Sequence, residues 1–230
     1  MRVISFSLWG AEPKYVTGAL RNAALAPSVY PGWRCRFYAG QTVPEADLET
    51  LAAWPHVDII RLPEPGNWTS TFWRFHAAAD PGVEVAIFRD TDSRLDDRER
   101  AAVDAWLAGD RDVHVMRDHP LHDVPILAGM WGVRRRALPD LDRWIAQYAK
   151  SDYWQIDQDF LAEIVAPRVR DRWIEHDEYH ARRPFPTRRR GRRFVGQPFD
   201  EHDRALSKVP PISNGVCASR RGPSVRSSEP

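Results

Sequence analysis

Cysteine is scarce in this sequence, and long apolar runs are absent. The only two cysteines of the 230 residues, Cys35 and Cys217, lie far apart, and Cys217 falls in a polar tail. A disulfide framework of the secreted kind is therefore not expected, and the reducing cytoplasm fits better. Residues 3–9 are apolar but too short for the core of a signal peptide, and no apolar run reaches membrane-spanning length. We expect a soluble, cytoplasmic protein.

An excess of charge of either sign is also missing, since 33 Lys+Arg stand against 32 Asp+Glu. No overall field attracts nucleic acid or an anionic membrane, and a partner of that kind would need a local patch. Nucleic acid is therefore not expected as a partner. The glycines form neither a dinucleotide-binding fingerprint nor a phosphate-binding P-loop, so proteins of those two classes are not expected either.

What the sequence does have is an alternation of short apolar runs with segments of helical character. Residues 3–9, 33–39, 57–62, 83–88 and 113–116 are predicted strands, and 126–133 is a further apolar run. Helices are predicted over 15–25, 46–53, 69–79, 97–107, 139–148 and 155–165, with Pro167 ending the last. This order predicts an α/β fold in which helices flank a mostly parallel sheet. One domain is expected over residues 1–204, followed by a disordered polar tail at 205–230.

Two acidic residues, Asp90 and Asp92, directly follow the predicted strand at 83–88. Open α/β sheets bind ligands beyond the carboxyl ends of their strands, so these carboxylates are expected at the functional edge. They suit Mn²⁺ or Mg²⁺, which takes oxygen ligands and can bridge to a diphosphate. The alternative is a turn in which one of the carboxylates caps the following helix.

A second acidic cluster, formed by Asp157, Gln158 and Asp159, opens a predicted helix. Acidic residues in a first turn also suit the helix dipole, and alone this cluster is more typical of capping than of catalysis. Its combination with Asp90 and Asp92 is a pairing for which a structural α/β domain has no need, and it points to a functional site.

Three motifs resemble the GT-A glycosyltransferases of the glycogenin and lipopolysaccharide galactosyltransferase kind. They are TSTFWRFHAAADPGVEVAIFRDTDSR at residues 69–94, ILAGMWGV at 126–133 and DQDFL at 157–161. In that family a Thr-x-x-Arg helix precedes the strand carrying Asp-x-Asp, an Asn-Ala-Gly segment lies near the donor sugar, and a helix begins with Asp-Gln-Asp. By order of elements the resemblance spans residues 3–165. It implies a single Rossmann-like GT-A domain that uses a nucleotide-diphosphate sugar.

The resemblance also implies roles for individual residues. Asp90 and Asp92 would bind the metal. The donor would be bound by Phe6, Leu8, Arg74, Gly129, Gly132 and Asp157. A retaining reaction is implied, in which Gln158 lies near the reacting sugar carbon and Asp159 orients the donor sugar. Because Gln158 is a poor nucleophile, front-face attack by the acceptor hydroxyl stays open as an alternative.

Two departures from the family pattern bear on the sugar and on the metal. Leu127 stands where the family has a sugar-contacting Asn, so the identity of the sugar is open. The family's C-terminal His-Gly-x-x-Lys-Pro-Trp segment is replaced by EHDEYHARRPFP at residues 175–186. His176 is the expected third metal ligand and His180 its competitor, although a histidine in a polar loop is often only a solvated residue.

Acceptor contacts are expected from the polar segment RDHPLHD at residues 117–123. Its Asp118, His119 and His122 would give directional hydrogen bonds to a sugar, and the alternative is a polar loop held by a proline. Trp131 lies beside the predicted site and is a candidate for stacking on the acceptor, as is Trp154. Most of the ten tryptophans are expected in the core.

Arginine is concentrated in one segment, with seven in the twelve residues from Arg182 to Arg193. Such a segment suits a donor diphosphate, an anionic acceptor, the phosphates of nucleic acid, or an acidic lipid surface that would give peripheral membrane contact. A solvated surface segment is the remaining interpretation.

The leading hypothesis is a metal-dependent hexosyltransferase that moves a sugar from a UDP- or GDP-sugar to a saccharide or glycolipid acceptor, as in polysaccharide biosynthesis. An aspartate-nucleophile phosphatase also places Asp-x-Asp after an apolar strand, but Arg94 occupies its Thr/Val position and three predicted strands come first. The third hypothesis is a non-catalytic protein that binds a nucleotide-sugar or nucleic acid.

Overall fold

The computed structural model describes residues 1–135, 137–148, 151–181 and 183–206. Most of the predicted tail at 205–230 therefore lies outside the described residues. Seven strands form one sheet: β1 (Arg2–Leu8), β2 (Arg34–Gly40), β3 (Val57–Leu62), β4 (Val85–Phe88), β5 (Val113–Arg117), β6 (Trp131–Arg134) and β7 (Trp173–Asp177). Their order across the sheet is β3-β2-β1-β4-β6-β5-β7.

The helices connect these strands over both faces of the sheet. They are α1 (Pro13–Val29), α2 (Glu45–Ala52), a 3-10 helix (Trp68–Ala78), α3 (Asp97–Ala108), α4 (Leu141–Gln147), α5 (Ile156–Phe160), a π turn (Leu161–Val165) and α6 (Ala166–Val169). Within the described ranges, no helix combines the length and the apolar character needed to span a bilayer.

Strand pairing confirms the mostly parallel α/β sheet that the sequence predicts. Strands β3, β2, β1 and β4 run parallel to one another, β6 is antiparallel to both β4 and β5, and β7 is parallel to β5. The chain leaves β1 toward β2 on one side, while β4 lies on the other side of β1. Open α/β sheets bind ligands at such a switch point, beyond the carboxyl ends of the strands. The ends of β1 and β4 therefore mark the functional edge.

The two sheet faces enter two apolar cores because side chains alternate along each strand. Ile4, Phe6 and Leu8 of β1 pack in the core that includes side chains of α1, α2 and α3. Val3 joins the opposite core, which includes Phe72 of the 3-10 helix and apolar side chains of α4 and α5. Alternate side chains of β1 therefore point to opposite faces of the sheet.

Several elements differ from the sequence-based expectation. The apolar run at 126–133 is a strand only over Trp131–Arg134, since its first half closes a turn with Met130 N donating to Leu127 O at 2.8 Å. The expected helix at 69–79 is a 3-10 helix. Pro167 does not end the helical segment, because the preceding π turn pairs Ala166 N with Leu161 O and the chain stays helical to Val169. Strand β7 lies where a polar loop is expected.

A buried ion pair fixes the carboxyl end of β4. Arg89 and Glu99 are both fully buried, with Arg89 Nε 3.2 Å from Glu99 Oε1. Tyr30 donates its hydroxyl to the same carboxylate oxygen at 2.8 Å, and Arg89 also donates to the carbonyl of Trp131 at 3.2 Å. Burial, followed by the charge of Glu99, raises the pKa of Tyr30 well above its usual value. This cluster joins β4, β6, α1 and α3 directly beside Asp90.

The buried pair should dominate the response of the fold to charge removal. Glu99→Ala leaves the Arg89 guanidinium buried without its counter-ion, so we expect a loss of about 3–5 kcal/mol in the free energy of unfolding. The control is Asp104→Ala, which removes the partner of Arg100 from a half-exposed pair on the same helix. We expect it to cost less than about 1 kcal/mol. Urea unfolding measures both, and equal losses would contradict this account of β4.

Candidate functional site

A cleft of about 370 Å³ opens at the carboxyl ends of β1 and β4. Ser7, Leu8 and Trp9 line it from the end of β1, and the loop after β4 contributes residues 90–92. Further walls come from the start of the 3-10 helix, the turn at 127–129 and the start of α5. Both acidic clusters that the sequence singles out therefore meet in one cavity.

The carboxylates of Asp90 and Asp92 reach this cleft in different environments. The Asp90 side chain is 49% exposed, whereas that of Asp92 is 18% exposed and has Lys14 Nζ 3.7 Å from its Oδ2. Burial, followed by the negative charge of Asp90, raises the pKa of Asp92 to about 6. Two neighbouring carboxylates that open to the same cleft form a site that favours a bound cation.

The loop that carries these carboxylates is held by its own backbone carbonyls. Asn22 of α1 donates to Thr91 O at 3.2 Å and to Ser93 O at 2.9 Å. Arg94 is buried and donates to the carbonyls of the same loop, including Ser93 O at 2.9 Å. Phe199 N donates to Asp92 O at 2.8 Å from the far end of the described chain. Three residues therefore hold the loop through its carbonyls: Asn22, Arg94 and Phe199.

Arg74 joins the two acidic clusters. Its guanidinium donates through Nη1 to Asp90 Oδ1 and through Nη2 to Asp157 Oδ2, the latter at 2.6 Å. Two serines of β1 fix its backbone, because Ser5 Oγ donates to Arg74 O at 2.7 Å and Arg74 N donates to Ser7 Oγ at 3.0 Å. The pKa of Asp157 is raised by burial, an effect that the positive charge of Arg74 opposes. One cation therefore sets the spacing of both carboxylates.

The turn at 127–129 closes the cleft against Asp90. A Cβ on Gly129 would lie 2.0 Å from Asp90 Oδ2, so a larger residue there would displace the Asp90 carboxylate. Gln158 supports this turn, since its Oε1 accepts from Ala128 N at 3.0 Å and its Nε2 donates to Ile126 O. The Gln158 amide is thus engaged with backbone on both sides.

The predicted donor residues divide into those inside and those outside the cleft. Leu8, Arg74, Gly129 and Asp157 line it. Phe6 does not, because the alternation of β1 turns its ring into the core, where it stacks on Phe37 at 4.8 Å. Gly132 lies within β6, where a Cβ would meet Ile87 at 2.9 Å, so the small residue serves packing. Asp159, predicted beside the donor sugar, accepts a hydrogen bond from the Tyr153 hydroxyl.

The structure does not bring the polar acceptor residues of the segment at 117–123 into the cleft. Asp118 is fully buried and accepts from Arg98, Arg189 and the amide of Val195, the last at 3.0 Å. His119 accepts from Leu121 N at 3.1 Å and packs on Phe194, with the ring centroids 4.6 Å apart. Burial lowers the pKa of His122 to about 4. In place of these groups, the same segment presents Leu121 to the cleft, followed by Val124.

Trp131 is likewise unavailable to a ligand. It is fully buried in β6, with its ring centroid 4.4 Å from that of Phe88 and 5.4 Å from that of Phe75. Its predicted stacking on an acceptor is therefore wrong. Trp154, the other candidate, is 65% exposed and lines the cleft.

His176 lies on β7 and forms a buried pair with His114 of β5. Their facing nitrogens, His176 Nδ1 and His114 Nε2, are 2.8 Å apart. Burial lowers the pKa of His176 to about 4 and that of His114 well below its usual value. His176 is thus a core residue outside the cleft lining, because strand pairing with β5 turns it inward. Its competitor His180 lies 3.6 Å from Asp123 in a separate depression.

The residues that are present still fit a divalent cation. Among the described residues, no group of three or more His, Cys, Asp and Glu is placed to hold a metal ion. Mg²⁺ and similar ions bound with substrate phosphates use one or two carboxylates and complete their shell with phosphate and water. Asp90 and Asp92, open to a cavity that Gly129 leaves free beside Asp90, meet that requirement.

The sequence reading misses most of the aromatic residues in the cleft. Trp9, Tyr15 and Trp68 all line it. For Trp9, a signal was present, since it directly follows the predicted first strand at the functional edge. For Trp68, the sequence pattern gives no such signal. It is the first residue of the 3-10 helix, whose N-cap is Asn67.

The arginine-rich segment does not line the cleft. Arg189 donates to Asp118 and, at 2.7 Å, to the hydroxyl of Tyr179. Arg183, Arg188 and Arg190 are exposed, whereas Arg182 lies outside the described residues. The segment is therefore an anchored loop that presents positive charge to solvent.

Comparisons with known proteins agree with this geometry. A glycosyltransferase involved in glycosylation of the major capsid of PBCV-1 has a TM-score of 0.51 at 19% identity, covering 78% of this chain and 82% of that one. The galactosyltransferase LgtC, in complex with donor and acceptor sugar analogs, has a TM-score of 0.51 at 13% identity, covering 76% and 73%. The chain has the GT-A fold.

A third neighbour is a chain of which the match covers a smaller share. The mannosyltransferase PcManGT from Pyrobaculum calidifontis, in complex with GDP-Man and Mn²⁺, has a TM-score of 0.52 at 12% identity. The match covers 77% of this chain and 55% of that one. No protein-family model matches the sequence, and no curated protein does. At these identities the neighbours establish the fold, and the fold agrees with the GT-A resemblance of the motifs.

The loop at 90–92 should be sensitive to a single methyl group on α1. A Cβ on Gly18 would lie 2.0 Å from Thr91 O, so Gly18→Ala must displace the loop or the helix. We expect a loss of about 1–3 kcal/mol in the free energy of unfolding and faster hydrogen exchange at Ser93 and Leu95. Gly109→Ala is the control, since its Cβ would meet only Trp106 O at 3.6 Å. Hydrogen-exchange rates at Ser93 and Leu95 that equal those of wild type in Gly18→Ala would contradict this close packing of α1 on the loop.

The histidine pair should make the protein acid-sensitive. The folded-state pKa of His176, about 4, lies below the usual value of 6.5. The unfolded chain therefore binds more protons between these values, and stability falls as pH falls from 6.5 toward 4. His176→Gln keeps a hydrogen-bonding partner for His114 and removes this titration. Between pH 6.5 and 5, we expect wild type to lose about 1 kcal/mol more than the variant, allowing for partial solvent screening. Urea unfolding at each pH measures this, and parallel curves would contradict it.

Proposed function

We propose that this chain is a divalent-metal-dependent glycosyltransferase that moves a hexose from a UDP- or GDP-sugar to a saccharide or glycolipid acceptor. The observation that carries the proposal is the position of Asp90 and Asp92, which open into a cleft at the switch point of a GT-A sheet. The solved neighbours with this fold include transferases for galactose and mannose. Their substrates support the class of reaction proposed for this chain.

Asp90 and Asp92 would hold Mn²⁺ or Mg²⁺, which neutralises the diphosphate as negative charge develops on the leaving group. Lys14 lies in the first turn of α1 beside Asp92, so it can add a second positive charge at the diphosphate. The ring of Tyr15, which lines the cleft, has Lys14 Nζ 4.4 Å from its centroid. We assign this side of the cleft to the nucleotide.

The donor sugar is assigned to the space between the two acidic clusters. Arg74 pairs with both Asp90 and Asp157, and both carboxylates can also accept hydrogen bonds from sugar hydroxyls. Gln158 already uses its amide on Ile126 and Ala128, so we assign it the positioning of the turn at 127–129. A covalent intermediate on Gln158 is therefore not part of the proposal, which favours direct attack by the acceptor hydroxyl.

The exposed arginines of the segment at 183–193 extend the proposal to an acidic surface. Arg183, Arg188 and Arg190 present positive charge from a loop that Arg189 anchors to buried Asp118. Such a loop suits anionic lipid headgroups near a glycolipid acceptor, with each arginine adding a modest attraction that salt weakens. Peripheral membrane contact is in this way part of the proposed setting of the reaction.

Donor binding should depend on Asp92. We expect Asp92→Asn to weaken Mn²⁺-dependent binding of a UDP- or GDP-sugar by about tenfold or more, because it removes one of two anionic ligands. Calorimetric titration of a panel of these donors, with Mn²⁺ and with EDTA, measures the effect. Asp104→Asn, on the exposed side of α3, is the matched control and should bind as wild type does.

Three outcomes would count against the assignment. Unchanged metal-dependent donor binding in Asp92→Asn would refute the role of that carboxylate. A wild-type protein that binds no nucleotide-sugar of the panel would refute the proposed function. Turnover of p-nitrophenyl phosphate that Asp90→Asn abolishes would favour the aspartate-nucleophile phosphatase instead.

A further inference from the structure

Large exposed apolar side chains are concentrated at one place on this molecule. Among the described residues, seven such side chains are exposed, and three of them line the cleft: Trp68 at 39%, Trp154 at 65% and Leu121 at 84%. Single exposed apolar residues are ordinary on a protein surface, whereas a group of them around one cavity marks a binding site. Of the residues predicted from the sequence to contact an acceptor, Trp154 lines this cleft, whereas Asp118, His119, His122 and Trp131 do not.

Trp68 is fixed in position while its indole stays accessible. Its amide donates to Asp152 Oδ1 at 2.9 Å, which ties the 3-10 helix to the segment that carries Trp154. Trp9 meets Trp68 edge to face, with the ring centroids 6.1 Å apart. Gly66, at a φ of +91°, leaves room for Trp9, since a Cβ there would lie 2.3 Å from that of Trp9. Trp9, Trp68 and Trp154 form an aromatic rim on the cleft, in which Trp9 and Trp68 are fixed by these contacts.

Polar side chains lie directly beside this rim. Gln155 follows Trp154 in sequence and lines the same cleft, as do Asp157 and Gln158. A pyranose ring has an apolar face of C–H groups and a polar edge of hydroxyls, so an indole face next to carboxylate and amide oxygens matches both. An alkyl chain in the same place would remove these polar groups from water without replacing their hydrogen bonds. The combination therefore favours a sugar over a lipid tail.

We infer that Trp68 and Trp154 form an acceptor subsite that binds an uncharged saccharide ring by stacking on their indole faces. The inference rests on the proposed function, because it assigns the inner cleft around Asp90 to the donor. The high exposure of Trp154 places it at the outer, solvent-facing part of the cleft. The charged residues that line the cleft are Asp90, Asp92, Asp157 and Arg74, so the protein gives it a net negative charge that disfavours an anionic ring.

Fluorine NMR of 5-fluorotryptophan-labelled protein tests this subsite. The full chain is titrated with methyl glycosides of glucose, galactose, mannose and N-acetylglucosamine, and each tryptophan signal is assigned by single substitution. We expect at least one glycoside to shift the signals of Trp68 and Trp154 with a common dissociation constant. Trp54 is the internal control, because it is 37% exposed, nearly the same as Trp68, and does not line the cleft.

Substitution then separates stacking from a purely structural role. Trp154→Ala should weaken glycoside binding about fivefold to tenfold, the loss expected for one aromatic stacking contact. Trp68→Ala should do the same, and Trp54→Phe should bind as wild type does. Trp154 is the more exposed of the two, so its removal is the less disruptive to the fold, and a normal Tm for each variant confirms that the effect is local.

The inference is overturned by any of three results. They are a panel in which no glycoside shifts either signal, shifts that affect Trp54 equally, and shifts produced only by dihexanoylphosphatidylcholine, which would indicate a lipid site. A parallel titration with Mn²⁺ and UDP- or GDP-sugars reports on the donor separately. Glycoside binding without donor binding would support the acceptor subsite as a sugar-binding site and refute the proposed function. Donor binding without glycoside binding would support the proposed function and refute the acceptor subsite.

Discussion

The cleft depends on one buried cation. The Arg74 side chain is 4% exposed, and its two carboxylate partners come from positions 16 and 83 residues away in sequence. An unpaired guanidinium at this depth would cost several kcal/mol, so Asp90 and Asp157 are held against it. Since Asp90 follows β4 and Asp157 opens α5, this contact also fixes how the second half of the chain closes over the sheet edge. The site and the fold therefore share an electrostatic constraint.

The order of strands and helices can be predicted from the sequence because each element has its own local pattern of apolar residues. β1 through β5 all lie within or next to predicted apolar runs, and the parallel sheet follows from their alternation with helices. β7 could not be read in this way. Trp173–Asp177 mixes aromatic, aliphatic and charged residues because its charged side chains are paired within the fold, as Glu175 and Asp177 are with Arg117.

The same distinction applies to the site. The meeting of Asp90, Asp92 and Asp157 in one cleft can be predicted because a carboxylate at an element end has a local signature, and the position of the cleft follows from sheet topology. His176, Asp118 and Trp131 were misplaced because the direction of a side chain depends on partners far away in sequence. A polar residue in a polar segment can equally be a ligand or the centre of a buried hydrogen-bond network, and only packing decides between them.

The support of the loop at 90–92 by residues 199–203 has a consequence for how the protein is handled. Phe199 holds Asp92 O, and Asp203 accepts from Arg94 across 109 residues of sequence. A chain trimmed by proteolysis before Phe199 would keep all seven strands, and so would pass as folded by circular dichroism. It would nevertheless lack one of the three restraints on Asp90–Asp92, so integrity of the C-terminal region has to be verified by mass before inactivity of any preparation is interpreted.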